Sequence, residues 1–169
     1  MKIVLLGYMA SGKSAVGRIL AKKMNLQFVD LDDFIEENEQ MNISEIFSSK
    51  GEIYFRKKEI EYLTALLNKS DKLVISLGGG TPCYGDNLKL IKNKSISFYL
   101  NASIETIFNR LKNETSQRPL VASIGQDNLK EYIAKHLFER VAYYEKATHT
   151  ISVNDKTVRE ISDTILELL

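Results

Sequence analysis

Eight residues near the start of the chain, Gly7-Tyr8-Met9-Ala10-Ser11-Gly12-Lys13-Ser14, leave little freedom in what can surround them. They fit the spacing G-x-x-x-x-G-K-[ST], and each residue type has a physical reason to be there. Glycines let backbone N–H groups turn inward around phosphate oxygens, and a helix starting just after them adds positive potential. The lysine reaches the outer phosphates and the serine hydroxyl can ligate Mg²⁺. The arrangement needs a strand before it and a helix after it, and both are legible. Ile3–Leu6 is a short all-apolar run, the pattern of a parallel strand covered on both faces. Ser14–Met24 carries Val16, Ile19 and Leu20 at helical spacing.

The alternation continues along the chain. Phe28-Val29 reads as a second strand ending at Asp30, followed by helical pattern over roughly 33–39 and 43–49 and, after Gly51, to about Asn68. Leu73–Ser76 reads as a buried strand ending at Gly78-Gly79-Gly80, Ile96–Leu100 as a fourth strand and 103–112 as helix. The polar stretch 113–126, broken by Pro119 and Gly125, reads as a mobile loop, with Asp127 placed to cap a long helix to about Lys146. Thr150–Val153 reads as the last strand, and Thr157 with Glu160 forms a capping-box start to the final helix. Strands alternating with helices imply one α/β domain, a mostly parallel sheet between helix layers, with ligands beyond the carboxyl ends of the strands. Gly7, Asp30 and Gly78 stand at such ends.

Composition narrows the function. The 169 residues suit a single domain with its own core, and 23 Lys and Arg against 22 Asp and Glu give a formal net charge of +1. That balance gives no support to broad nucleic-acid or membrane binding. Cys83 is alone, and with His136 and His149 it makes a poor zinc set. The opening apolar run is too short for a secretion signal or a membrane span, so a cytoplasmic protein acting on small molecules, as a monomer, is expected. Length argues against a motor or transporter ATPase. A Ras-type GTPase, expected to carry an Asn-Lys-x-Asp guanine motif, is set aside. A small-molecule kinase fits the size.

Acceptor chemistry is sought in the acids and arginines. Asp30 is placed to hold Mg²⁺ through water, and Asp32 to accept a proton from a hydroxyl. The alternative is an ordinary acidic helix start, since 30–39 carries six acids. In the helix after Gly51, Ile53, Ile60, Leu63 and Leu67 share a face, and Arg56 falls inside that stripe, about 40° from Ile60 at 100° per residue. Arg140 stands near the middle of the face formed by Leu129, Ile133, Leu137 and Tyr144. An inward guanidinium must meet an anion, snorkel to the rim, or pair with an Asp or Glu. Two of them make a shared carboxylate ligand a serious candidate. Gly78-Gly79-Gly80 permits close approach by a ligand, or is a tight turn. Arg118 is either a lid arginine closing over the phosphates or a surface residue.

These stretches, with Gly-Glu-Ile-Tyr-Phe-Arg at 51–56, Leu-Gly-Gly-Gly at 77–80, Arg-Pro-Leu at 118–120 and Glu-Arg-Val-Ala-Tyr-Tyr at 139–144, resemble the shikimate kinase family over nearly the whole chain. The resemblance implies a three-layer α/β/α P-loop kinase fold. Its five-stranded parallel sheet would carry an acceptor-binding helical insertion at about 31–61 and a lid at about 112–125. It implies ATP- and Mg²⁺-dependent phosphorylation of the 3-hydroxyl of shikimate, in the route to aromatic amino acids. It assigns Ala10, Ser11, Gly12, Lys13, Ser14, Ala15, Arg110 and Arg118 to ATP, and Ser14 and Asp30 to the metal. Asp32, Arg56, Gly79 and Arg140 go to the acceptor, and Lys13, Asp32 and Arg118 to catalysis. Ala10 stands where the family usually has Gly, and Ala15 where Thr is common. The adenine-side segment reads Asn154-Asp155-Lys156. A gluconate-type sugar-acid kinase and a non-catalytic nucleotide-binding module are the competing readings.

Overall fold

Ile3, Val4, Leu5 and Leu6 are fully buried, so the strand they form has helices over both faces and strands along both edges. The computed structural model describes residues 1–112 and 119–169. It places β1 (Lys2–Leu6) at the centre of a parallel sheet with β2 (Gln27–Asp30), β3 (Leu73–Ser76), β4 (Ile96–Asn101) and β5 (His149–Ser152), in the order β2-β3-β1-β4-β5. Register fixes where the chemistry goes: Leu5 pairs with Ser76, and Ser76 with Asp30. The carboxyl ends of β1, β2 and β3 are therefore level, and Gly7, Asp30 and Gly78 emerge side by side.

The helices are α1 (Lys13–Met24), α2 (Leu31–Glu39), α3 (Ile43–Asn68), α4 (Asn87–Lys94), α5 (Ile104–Leu111), α6 (Pro119–Ile124), α7 (Gln126–Tyr144) and α8 (Val158–Glu167). The five-stranded parallel sheet and its helix layers agree with the expected architecture. Asn42 with Glu45 and Thr157 with Glu160 form capping boxes that start α3 and α8. No helix among the described residues is long and apolar enough to cross a membrane.

Gly51 takes φ 84 and ψ 169, so the helical stretches on either side of it meet at a kink, as expected, within the span of α3. Three expectations need correction. The buried face beyond the kink is Phe55, Glu59, Leu63, Leu66 and Leu67, while Ile53 is 88% exposed. Pro119 opens α6 rather than breaking the chain, since proline fits the first turn of a helix. Asp127 lies inside the first turn of α7, where an anion favours the dipole, and Gly125 takes the cap position. The segment Thr81–Cys83, a short 3-10 turn, and α4 were not anticipated. Their only signal is Leu88 and Ile91 three residues apart.

The letters of the guanine motif do occur, as Asn68-Lys69-Ser70-Asp71. They lie between α3 and β3, where the carbonyls of Lys69 and Asp71 accept hydrogen bonds from Lys2 Nζ at the start of β1. That is the end of the sheet opposite the phosphate loop, so the match has no guanine-binding role.

A Cβ on Gly51 would meet nothing within 4 Å, so only its dihedral demands glycine. Gly51→Ala is expected to cost about 1–2 kcal/mol, which lowers Tm by roughly 2–8 °C in a domain of this size. An unchanged melting curve would show that the kink relaxes.

Candidate active site

The phosphate loop is built by three left-handed residues. Gly7 takes φ 148, Ala10 φ 58 and Gly12 φ 96. A Cβ on Gly7 would lie 2.8 Å from the Leu100 carbonyl O, so that position admits no side chain. Ala10 occupies a conformation that costs an alanine about 1–2 kcal/mol, strain held at the place where backbone N–H groups must turn inward. Lys13 Nζ donates to the carbonyls of Gly7 and Tyr8, both at 2.9 Å, which shapes the loop from within. Ser11 is buried and its Oγ has no hydrogen-bond partner among the described residues, a polar atom suited to an anion at the loop.

Asp30 joins this loop to the acceptor side. Its Oδ2 accepts from Ser14 Oγ at 2.5 Å, and its Oδ1 caps α2 by accepting the Asp32 N–H at 3.1 Å. The helix-start reading of the acidic stretch is therefore realised. Ser76 Oγ lies 3.3 Å from Ser14 Oγ. Carboxylate and hydroxyl oxygens are the hard donors that suit Mg²⁺, which commonly takes one or two carboxylates together with phosphate oxygens and water. No cluster of three or more His, Cys, Asp or Glu able to hold a metal occurs among the described residues, so these two residues would share a metal with the nucleotide.

A cavity of about 510 Å³ runs over the loop, bounded by Met9–Val16, Asp30, Asp32, Ser76–Gly79, Arg110, Lys156, Val158 and Ile161. At one end Arg110 Nη1 donates to the Ala10 carbonyl O at 2.8 Å, holding the guanidinium against the loop. At the other end stand the three glycines, and each makes room for one functional side chain. A Cβ on Gly78 would lie 2.9 Å from Asp32 Oδ1, on Gly79 3.1 Å from Arg140 Nη1, and on Gly80 2.9 Å from Arg56 Nη2. None of the three has positive φ. They are glycine for space rather than for backbone freedom. The two arginines stand behind this glycine wall rather than in the cavity lining itself.

Electrostatics separates the three. Burial, reinforced by the charges of Asp30 and Glu59 and opposed by Lys13, pushes the Asp32 carboxyl up to about 6. Arg56 is held by Glu59, Nη1 to Oε2 at 2.9 Å, with Glu52 Oε1 3.5 Å from Nε and the Tyr84 ring 3.8 Å below the guanidinium. Glu59 is 1% exposed and also accepts from Thr81 Oγ1 at 2.6 Å. Arg140 forms no ion pair within the described residues. The Tyr8 ring lies 6.0 Å beneath its guanidinium, and Tyr144, which donates to the Gly79 carbonyl O at 2.6 Å, stands within hydrogen-bonding reach of it.

Lys13, Ser14, Asp30, Asp32, Gly79 and both arginines are thus gathered at the carboxyl ends of β1, β2 and β3, with Ala10, Ser11, Gly12, Ala15 and Arg110 along the cavity. Arg118 lies outside the described residues. The pairing of Arg56 with a glutamate, one of the alternatives open in the sequence, is realised. Glu59, Thr81 and Tyr144 were missed. Glu59 carried a signal, an acid three residues after an inward arginine on the same helix.

A family model for shikimate kinase matches residues 9–169. The chain belongs to the shikimate kinase family. It is 48% identical over 169 residues to the shikimate kinase of Flavobacterium johnsoniae, covering 99% of this chain and 98% of that one. Its fold superimposes on the crystal structure of shikimate kinase from Bacteroides thetaiotaomicron with a TM-score of 0.93 at 31% identity, covering 99% and 97% of the two chains. Against the Acinetobacter baumannii shikimate kinase in complex with shikimate the TM-score is 0.88 at 32% identity, covering 99% and 91%.

The partners of the two arginines predict different outcomes for their removal. Arg56→Ala strands the buried Glu59 and is expected to cost on the order of 3 kcal/mol of stability, together with affinity for the acceptor. Arg140→Ala leaves no acid stranded and is expected to raise acceptor KM at least about tenfold with little change in Tm. Thermal melts and steady-state kinetics on both variants check the split. Equal Tm losses would contradict it.

Proposed function

We propose that the enzyme transfers the γ-phosphoryl group of ATP to the 3-hydroxyl of shikimate, giving shikimate 3-phosphate and ADP for aromatic amino acid synthesis. The observation that carries this is the glycine wall. It sets one carboxylate and two guanidinium groups around the same backbone turn, at the end of the cavity where the phosphate loop's Lys13 and Ser14 lie. A ligand with a carboxylate and a nearby hydroxyl satisfies both kinds of group. Family membership and the shikimate-bound relative point the same way.

Each residue then has a role. Arg140 and Arg56 hold the acceptor carboxylate, and the Gly79 backbone abuts its ring. Asp32 accepts the hydroxyl proton as the oxygen attacks the γ-phosphorus and the bond to the β-phosphate oxygen breaks. Its raised pKa makes it a better base than an ordinary surface carboxylate while it stays ionised at neutral pH. Lys13 steadies the β- and γ-phosphates, Arg110 packs at the nucleoside end, and Arg118 serves as the lid arginine of segment 112–125. Ser14 and Asp30 would hold Mg²⁺, which would supply charge neutralisation on the phosphates. The enzyme is taken to act as a cytoplasmic monomer.

An ADP-release assay with shikimate, quinate and gluconate tests the reading, with turnover expected for shikimate above both others. Preferred turnover of gluconate would replace it with a sugar-acid kinase, and nucleotide binding without turnover would favour a regulatory module.

Asp32 gives a second test. For the free enzyme, kcat/KM is expected to rise with pH through about 6 and then level. Asp32→Asn should lose that limb and at least about 100-fold in kcat. Because the folded state prefers the protonated carboxyl, ionising Asp32 costs stability as pH rises from 3.8 through about 6. The Asn variant should therefore melt higher than the parent at pH 8, and the gap should close in acid. A profile flat to pH 5 would leave Asp32 an orienting group only.

A further inference from the structure

One part-buried hydrogen bond outside the residues assigned above connects the phosphate loop to the helix that carries Arg140. Tyr8 is 1% exposed. Its carbonyl O accepts from Lys13 Nζ at 2.9 Å, while its hydroxyl reaches the opposite way and lies 3.1 Å from His136 Nδ1. The two rings meet edge to face, with centroids 5.6 Å apart and planes at 88°. His136 precedes Arg140 by four residues on α7, which places both on one face a turn apart. The Arg140 guanidinium sits over the Tyr8 ring. Loop tyrosine, helix histidine and helix arginine form a closed set.

A phenol buried this far requires a partner for its hydroxyl, and His136 is that partner. The groups facing His136 are Tyr8 from the loop and Tyr132, Glu139 and Arg140 from its own helix, the Tyr132 ring at 5.1 Å. Burial, then the Arg140 charge, holds the imidazole below its ordinary pKa against the opposing pull of Glu139. In the neutral tautomer that carries its proton on Nε2, Nδ1 accepts from the Tyr8 O–H.

We infer that His136, acting through Tyr8, is a positioning residue that sets the place of the Arg140 guanidinium and so the affinity for the acceptor carboxylate. With its hydroxyl tied, the Tyr8 ring keeps its face toward the guanidinium as a cation–π wall. Gly79 and Tyr144 close the other side. Untied, the ring can tip and Arg140 loses one of its walls. The inference rests on the proposed reading of Arg140 as the carboxylate clamp.

Steady-state kinetics on Tyr8→Phe, His136→Ala, the double variant, His136→Asn and Arg140→Ala, each with a thermal melt, test it. Tyr8→Phe and His136→Ala are each expected to raise shikimate KM about five- to tenfold while ATP KM and kcat stay within about twofold. The double variant should be no worse than the worse single one. His136→Asn should restore KM, since its amide oxygen takes the place of Nδ1. Additive effects, equal losses for both substrates, or a lower Tm with unchanged KM would overturn the inference and leave the pair a packing feature. Arg140→Ala separates the two levels. If it leaves shikimate KM unchanged, the clamp reading fails. If it raises KM while the Tyr8 and His136 variants do not, only the positioning role fails.

Discussion

The two oxygens of Asp30 hold the site together. One accepts from Ser14 of the phosphate loop and the other closes the first turn of α2, the turn that carries Asp32. A carboxylate bound on both sides by charge-assisted hydrogen bonds fixes the helix that follows it. The level register of β1, β2 and β3 is what allows this, because it delivers Ser14, Asp30 and Ser76 to one edge. Displacing that single side chain would disturb the Ser14 hydroxyl, the candidate base, and the angle at which α2 leaves the sheet.

Charge is distributed along the cavity in a way that the near-zero total conceals. Asp32 has acids as neighbours, and their field together with burial keeps its proton affinity high. Lys13 opposes them from the loop. Arg56 is already neutralised by Glu59, so much of its pull on a ligand anion is compensated, whereas Arg140 is set between aromatic and backbone walls. In the proposed function the acceptor carboxylate is therefore read mainly by the arginine of α7, with Arg56 as a pre-organised second donor.

Much of this was legible in the residues. The phosphate loop with its strand and helix, the strand ends at Asp30 and Gly78, and the inward turn of Arg56 and Arg140 all follow from spacing, because buried parallel strands and amphipathic helices impose strict periods. Helical spacing failed at Ile53, which shares the face of Leu63 and Leu67 but stands 88% exposed in the first turn beyond the Gly51 kink. A period gives the face of a helix and not how far along it the core extends. The proline of α6 was read as a breaker where it is an initiator, a distinction that depends on what precedes it. Glu59 was legible as an acid three residues after an inward arginine, but Tyr144 and the Tyr8–His136 contact depend on which elements meet at the glycine turn. That is tertiary information that no local pattern carries.

The wall between Asp32 and the two arginines is main chain, and this bears on how the enzyme could be inhibited. A compound that draws its contacts from the peptide groups of Gly79 and its neighbours touches a surface with no side chain to exchange. Any residue larger than glycine there would press on Asp32, Arg140 or Arg56. In the proposed function, substitution at that surface would disturb the base or the acceptor clamp, so resistance there would come at the expense of turnover.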